Sequence, residues 1–408
     1  MNDMNIRNTA VRRYASREKL DLVPHDPSEP FGSGDFPPFE DDYQPRSLRP
    51  TAEESKPGNP QLEILQPIRG GRDVGSQILL CKVVRGTADG NNDNKKHAPF
   101  PIFDPRLYHM RGGFDLAKEP PFDDAAVAYS ELCREAAVYQ FFYEKGKSGH
   151  PFMIAQYYGC CIANVKMFND AATPDTWVGL ILIEYIEGLS IEAMCTRDHS
   201  TGYLQPPLGE HVSLHSDQKA EGKGQTKMLT LNRQVCLDAI QSLLGQIVVC
   251  MHLSVSVPDI FPRNIFLTLR NNALDLQTPR VVMLDHRFSS VWEHTRASKA
   301  GLPAYFADLK LPLHPWEQFG IRGKMRQFLG WIPEEWDDRK QLLETTTHGA
   351  AASTPATGQA SSVPVTTEKT GIAKSFDDWL VDCFGPLEDS NPDYAVFPED
   401  GSGSGEED

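Results

Sequence analysis

Three side chains in the second half of the chain have the types and spacing that phosphoryl transfer requires. Asp259 lies five residues before Asn264, and Asp285 ends the apolar run VVMLD. Phosphoryl transfer needs a divalent cation held against the phosphates and a carboxylate beside the attacking hydroxyl. We therefore expect Asp259 to orient or deprotonate a hydroxyl, and Asn264 and Asp285 to hold Mg²⁺. Each residue alone has an ordinary alternative: a turn residue after Pro258, a loop-closing amide and a strand-end cap.

The segments around these residues predict an α+β protein in two parts. Three extended segments come first: EILQPI, SQILLCKVV and PFPIFDPRLY. Acidic residues in the first turn and frequent Ala, Leu and Glu predict a helix over residues 123–145. The apolar run TWVGLILIEYI predicts a buried strand, and a long, mostly apolar helix follows over 229–252. The strands NIFLTL and RVVMLD flank the candidate side chains, so a helix and a hairpin must position them.

These segments, in this order, resemble the protein-kinase fold and, more narrowly, the divergent fungal protein-kinase-like proteins. The motifs are DIFPRNI for the catalytic loop, VVMLDHR for the metal-binding loop, CREAAVY for the helix bearing Glu135 and LILIEYIEG for the hinge; GWIPEEW and FDDWLVDCFG resemble the C-terminal part. The resemblance implies a two-lobed fold. A small β-rich lobe with one helix would cover 62–188, and a larger, mainly helical lobe would cover 189–345 with an insertion at 196–227.

The resemblance also implies a site for ATP with Mg²⁺. Arg263 would add positive charge beside Asp259, as in tyrosine-kinase-like catalytic loops. The backbone of the hinge would meet the adenine, and glycines in the first turn would approach the phosphates. The residues implied for the nucleotide are Gly70, Gly71, Gly75, Lys82, Glu135, Glu184 and Ile186.

The chain departs from the family pattern at three places. The catalytic-loop His is Val257, and the Gly after the metal-binding Asp is Arg287. The phosphate-binding Lys of the third strand is either Lys82 or lost. The alignment that makes PFPIFDPRLY the third strand is favoured, and it places Pro101 at the Lys position. A proline carries no charge and removes a backbone donor from the sheet.

The retained acids and the lost motifs support two hypotheses of different classes. The favoured one is a degenerate kinase, a pseudokinase with impaired ATP binding and an interaction role. The alternative is an active ATP- and Mg²⁺-dependent phosphotransferase acting on a protein or small-molecule hydroxyl. The segment after Asp285 has no Ala-Pro-Glu motif, so a small-molecule kinase of the aminoglycoside-phosphotransferase type stays open.

Composition narrows the classes of partner. The net charge of −16 argues against nucleic acid or an anionic membrane as the main partner. No apolar run reaches 18 residues, so we expect no membrane helix. The eight cysteines are scattered without a Cys-x-x-Cys pair, and reduced thiols are typical of cytosolic or nuclear proteins. We therefore expect a cytoplasmic or nuclear monomer with an unknown protein partner, and neither nucleic acid nor membrane.

Composition also predicts the segments outside the folded part. Residues 1–60 are rich in Pro, Asp, Glu and Ser and are expected to be disordered. The low-complexity stretch 346–372 is typical of a flexible linker. A helix over 373–390 should then pack on the larger lobe, ahead of an acidic disordered tail over 391–408.

Overall fold

The fold is a mixed α+β structure with a curled antiparallel sheet and, among the described residues, six α-helices. The α+β class predicted from the sequence is confirmed. The computed structural model describes residues 19–30, 50, 60–69, 77–85, 97–103, 124–165, 177–214, 228–271, 274–304, 306–320, 325–337 and 375–397.

Six antiparallel strands close into a barrel in the order β1-β2-β3-β4-β6-β5. They are β1 (Lys19–Pro24), β2 (Gln61–Arg69), β3 (Gln77–Arg85), β4 (His97–Phe103), β5 (Tyr157–Asn164) and β6 (Trp177–Ile183). Alternate side chains point inward, as the period of a strand requires, and form a separate apolar core that includes Leu22, Leu79 and Leu180.

Strand β1 closes the barrel and corrects the prediction that residues 1–60 are disordered. Asp21 pairs with Gln61 on β2, and Val23 pairs with Ile162 on β5. The chain then continues along the molecule, where Glu29 forms an ion pair with Lys299 at 3.1 Å and a hydrogen bond with His294 at 3.2 Å. The prediction is therefore wrong for residues 19–30, and most of the rest of 1–60 lies outside the described residues.

Helix α1 (Asp124–Glu144) is enclosed on nearly every side, since every residue from 127 to 136 is buried. One reason is its close contact with β6. A Cβ atom added at Gly179 would come within 2.2 Å of the Leu132 Cδ2 atom. The helix predicted over 123–145 is confirmed, but its buried charged residues are set by this enclosure and not by its sequence pattern.

A buried ion pair joins the barrel to the remainder of the protein. Arg280 bonds Glu184 at 2.6 Å, with both side chains almost fully buried. The same guanidinium donates hydrogen bonds to the carbonyl oxygens of Phe152 at 2.9 Å and Ile154 at 3.3 Å. These contacts hold the end of β6, and the segment between α1 and β5, against β14 (Leu274–Met283), the strand that carries Arg280.

The second part of the protein is built around the long helix α3 (Arg233–His252), which corresponds to the helix predicted over 229–252. Asn232 caps it by accepting a hydrogen bond from the backbone N–H of Val235 at 2.9 Å. The hairpin of β13 (Ile265–Asn271) and β14 (Leu274–Met283) follows it, with β7 (Gly188–Ser190) on the free edge of β13.

Shorter elements complete the second part. The helices are α2 (Ile191–Met194), α4 (Arg296–Lys299), α5 (Pro315–Phe319) and α6 (Phe376–Phe384). The strands are β8 (Thr196–Arg197), β9 (Leu204–Gln205), β10 (His211–Ser213), β11 (Met228–Thr230), β12 (Val255–Ser256) and β15 (Ser290–Val291). In the part of the chain that the structure describes, 3₁₀ turns cover Trp292–His294, Arg326–Phe328 and Glu334–Trp336.

Two segments expected to be loose are packed instead. Within the insertion predicted over 196–227, β8 pairs with β9, and β10 pairs with β11, which lies just beyond it. The Leu204 carbonyl oxygen lies so close to Gly330 that a Cβ there would be 1.8 Å away. Residues 215–227 lie outside the described residues. The tail predicted to be disordered from 391 is ordered over 391–397, where Ala395 bridges to Leu313. The linker predicted over 346–372 lies outside the described residues.

Helix α3 is long and apolar enough, by length and composition alone, to cross a membrane. Half of its most apolar window is buried within the protein, and residues such as Leu243 and Ile247 belong to the main core. This packing is typical of the core helix of a soluble protein.

If β1 is an integral strand, removing its central side chain should destabilise the whole fold. Leu22 is fully buried, so Leu22→Ala should lower the free energy of unfolding by about 2–5 kcal/mol. The matched change Leu208→Ala, at an exposed leucine, should stay within about 0.5 kcal/mol of the parent. Urea denaturation measures both, and equal effects would mean that β1 does not belong to the cooperative core.

Candidate functional site

The loop between β12 and β13 brings Asp259 and Asn264 into direct contact. Two backbone hydrogen bonds fold it tightly, from Phe261 N–H to the Asp259 carbonyl and from Asn264 N–H to the Phe261 carbonyl. The Asn264 side-chain amide then donates to Asp259 Oδ2 at 2.9 Å and to the Asp259 carbonyl at 3.1 Å. Because Asn264 is fully buried, this amide fixes the orientation of the Asp259 carboxylate.

Arg263 partly balances the charge of Asp259. Its guanidinium lies 3.4 Å from Asp259 Oδ1 and stacks over the Phe261 ring at 4.2 Å. Burial and the neighbouring Asp285 nevertheless raise the pKa of Asp259, against the opposing effects of Arg263 and Asn264. Asp259 is thus a buried acid whose charge is only partly offset.

Asp285 completes the group at the end of β14. The backbone N–H of Leu284 bonds the Asn264 carbonyl at 2.9 Å, which holds this strand end beside the loop. Asp285 itself has a φ of 71°, a left-handed conformation that a residue with a side chain adopts at a cost. The structure therefore brings together Asp259, Asn264 and Asp285, the three residues that the sequence assigned to one cleft.

Helix α1 approaches Asp285 and His286 with two of its side chains, Glu135 and Tyr139. Glu135 is fully buried, and this burial together with Asp285 raises its pKa to about 8, although the His286 backbone N–H and Arg287 favour the charged form. Tyr139 contacts the His286 ring edge-on at 5.1 Å. Burial lowers the pKa of His286 to about 4, so this ring is neutral near pH 7.

Arg287 is a charged member of the site that the sequence treated only as a lost glycine. Its guanidinium Nε lies 3.3 Å from Asp285 Oδ1, with both side chains largely buried. Its charge also opposes the rise in the pKa of Glu135 and of Asp259. The sequence offers one signal for this role: Arg287 comes two residues after Asp285, the acid that ends an apolar strand.

Among the described residues, Lys82 is not one of the charges that act on Glu135. Lys82 lies on β3, opposite Glu63 and His97 in the sheet, and its neighbour Cys81 points into the barrel core. Successive side chains of a strand face opposite ways, so Lys82 faces away from that core. The charges that act on Glu135 are those of Asp285, Arg287 and Glu131.

Pro101, the other candidate for the lysine position, lies on β4. It pairs with Ile78 of β3, and the next residue, Ile102, pairs with Leu180 of β6. The strand on which Pro101 lies is therefore the last one before α1. The glycines predicted to approach the phosphates, Gly70, Gly71 and Gly75, lie outside the described residues.

The segment after β6 is held by structural bonds. The Glu184 carboxylate is used by Arg280, and the Glu184 N–H bonds the Gln156 carbonyl at 2.8 Å. Ile186 is buried and belongs to the main apolar core. The side chains of Glu184 and Ile186 therefore hold the fold together.

The donor set does not fit Mg²⁺. Magnesium requires nearly octahedral oxygen ligands at about 2.1 Å. A guanidinium already approaches Asp285 Oδ1, and the side-chain nitrogen of Asn264 is directed at Asp259. Within the described ranges, no group of three or more His, Cys, Asp or Glu side chains is arranged to hold a metal ion.

Comparisons with known proteins add no relative. No protein-family model matches the chain, and no curated protein matches its sequence.

The raised pKa of Glu135 predicts a stability that falls with pH. In the unfolded chain the glutamate ionises at its ordinary pKa of 4.5, whereas the folded protein keeps the proton to about 8. Between these values the folded state binds more protons, so the free energy of unfolding should decrease as pH rises, by at most roughly 1.4 kcal/mol per unit. Urea denaturation of Glu135→Gln between pH 5 and 8 should show a flatter dependence than the parent.

Glu144→Gln provides the matched control, because Glu144 is exposed on the same helix. It should keep the pH dependence of the parent protein. An unchanged slope in Glu135→Gln would show that Glu135 is ionised in the folded protein and that its surroundings compensate the charge.

Proposed function

We propose that this chain adopts a two-lobed, protein-kinase-like fold and acts as a pseudokinase, a binding module with impaired ATP binding. The order of elements supports the fold. Strands β2 to β6 with α1 between β4 and β5 correspond to a small lobe, and α3, the Asp259 loop and the β13–β14 hairpin correspond to a larger one. The observations on this site favour the degenerate form over an active enzyme.

The environment of Glu135 carries the proposal. In a kinase-like site, the acid of this helix pairs with the lysine that clamps the phosphates. Here the acid is fully buried with a raised pKa, and Lys82 is not among the charges acting on it. Among the described elements, β4 is the last strand before α1, which favours Pro101 as the residue at the lysine position. Without that cation, the electrostatic stabilisation of the phosphates is lost, which is worth several kcal/mol in a dry site.

If the fold is retained without the phosphate-binding lysine, a role in binding another protein follows. The chain keeps the buried Arg280–Glu184 junction and the contacts among Asp259, Asn264 and Asp285, so the architecture persists where the phosphate chemistry is weakened. We propose a protein partner, in keeping with the net charge of −16, which disfavours nucleic acid and anionic membranes. The proposed setting is a cytoplasmic or nuclear monomer.

One observation favours a second candidate, an active phosphotransferase on a protein or small-molecule hydroxyl. Asp259 is held by the Asn264 amide at 2.9 Å, and its pKa is raised toward the range useful for a general base. Arg263 at 3.4 Å could steady a phosphate beside it. This arrangement orients a hydroxyl, but it does not replace the missing clamp.

Nucleotide binding and phosphate transfer separate the two candidates. With saturating ATP, an intact site should stabilise the fold by about 2.7 kcal/mol at a hundred times the dissociation constant. We expect a much smaller thermal shift, without enhancement by Mg²⁺, and no transfer of labelled γ-phosphate to the chain or to a general protein substrate. Lys82→Ala should change neither stability nor nucleotide response by more than a few tenths of a kcal/mol, as for a half-exposed strand lysine that faces away from the barrel core.

Two results would favour an active phosphotransferase over a pseudokinase. Robust Mg²⁺-dependent transfer by the purified chain, abolished in Asp285→Ala, would establish the enzyme. Loss of ATP binding in Lys82→Ala would identify Lys82 as the phosphate clamp and exclude Pro101 from that role.

A further inference from the structure

We propose that the guanidinium of Arg287 is a built-in cation that takes the place of a divalent metal ion, so that this cleft excludes divalent cations. The inference rests on the proposed function only in identifying the cleft as the one where a kinase-like fold holds its metal. The geometry of Arg287 itself is independent of whether the chain transfers phosphate.

The backbone holds Arg287 in position. Asp285 turns the chain with its φ of 71°, and the N–H of Ser289 bonds the His286 carbonyl at 2.9 Å to close the turn. The guanidinium then lies 3.3 Å from Asp285 Oδ1 and 4.8 Å above the Phe288 ring. Only 11% of the Arg287 side chain is exposed, so the cation is enclosed between the carboxylate and the ring.

The charges around Arg287 explain why a cation is needed there. Glu135 and Asp285 are almost completely buried, and Asp259 is largely buried beside them. Buried carboxylates without a counter-charge are costly, and a guanidinium is always protonated in proteins. Arg287 acts on all three acids, through the ion pair with Asp285 and through its charge at Glu135 and Asp259.

A metal ion and Arg287 cannot share Asp285 in this arrangement. A Mg²⁺ or Mn²⁺ ion about 2.1 Å from Asp285 Oδ1 would lie within roughly 5.4 Å of the Arg287 Nε, which is 3.3 Å from the same oxygen. At that separation, in a poorly solvated cleft, the two positive charges repel strongly. Removing the guanidinium should take away this repulsion and allow a divalent cation to approach Asp285.

Direct titration of the full chain with Mn²⁺ alone, followed by electron paramagnetic resonance of the free ion, tests this inference. The parent protein should show no saturable site at submillimolar Mn²⁺. Arg287→Ala should bind Mn²⁺ at a saturable site, at least about tenfold more tightly than any residual binding by the parent. The double variant Arg287→Ala with Asp285→Asn should lose that site again. The matched control Arg296→Ala removes an exposed arginine and should behave as the parent does.

Stability gives a second readout in case Arg287→Ala folds poorly. Arg287→Gln keeps a hydrogen-bonding side chain without the charge; it should be destabilised relative to the parent, and added Mn²⁺ should raise its melting temperature but not that of the parent. Saturable binding of Mn²⁺ by the parent, or failure of both Arg287 variants to gain it, would overturn the inference. Mn²⁺ binding by a parent that transfers no phosphate would overturn this inference alone and leave the pseudokinase proposal intact.

Discussion

The buried bond between Arg280 and Glu184 is the constraint on which the rest of the arrangement depends. One guanidinium reaches the end of β6, the carbonyls of Phe152 and Ile154 and, through its own strand, the β13–β14 hairpin. Breaking a buried pair leaves an uncompensated charge, which typically costs 3–5 kcal/mol. This ion pair therefore joins the barrel to the second part of the protein. It also fixes the position of β14, whose end carries Asp285.

The main energetic cost in the candidate site is the burial of three acidic side chains. Burial and the charge of Asp285 raise the pKa of both Asp259 and Glu135, and three different devices reduce the cost of burying these acids. The Asn264 amide bonds Asp259, Arg287 pairs with Asp285, and Glu135 retains its proton to higher pH. In an active kinase-like site, a metal ion and a lysine would solve the same problem, so the use of Arg287 and a proton supports the proposed impairment of ATP binding.

The closed barrel illustrates a feature that composition hides. The segment 19–24 is short and its surroundings are rich in Pro and acidic residues, so the sequence favoured disorder. Its partners are Gln61 on one side and Cys161 on the other, and both pairings are formed only when the chain has folded. A strand stabilised by such distant partners leaves little local signal, because its backbone bonds and buried Leu22 depend on β2 and β5.

The sequence by itself determined the α+β class, the two long helices, six of the strands, and the short spacing that joins Asp259 to Asn264. These features follow from local periodicity, capping and loop length. Only the tertiary structure decided that Lys82 faces away from the barrel core, that Glu184 serves Arg280, and that Arg287 is the cation beside Asp285. Those outcomes depend on which side chains are buried together, and the free energy of a buried charge is set by distant neighbours that no local pattern specifies.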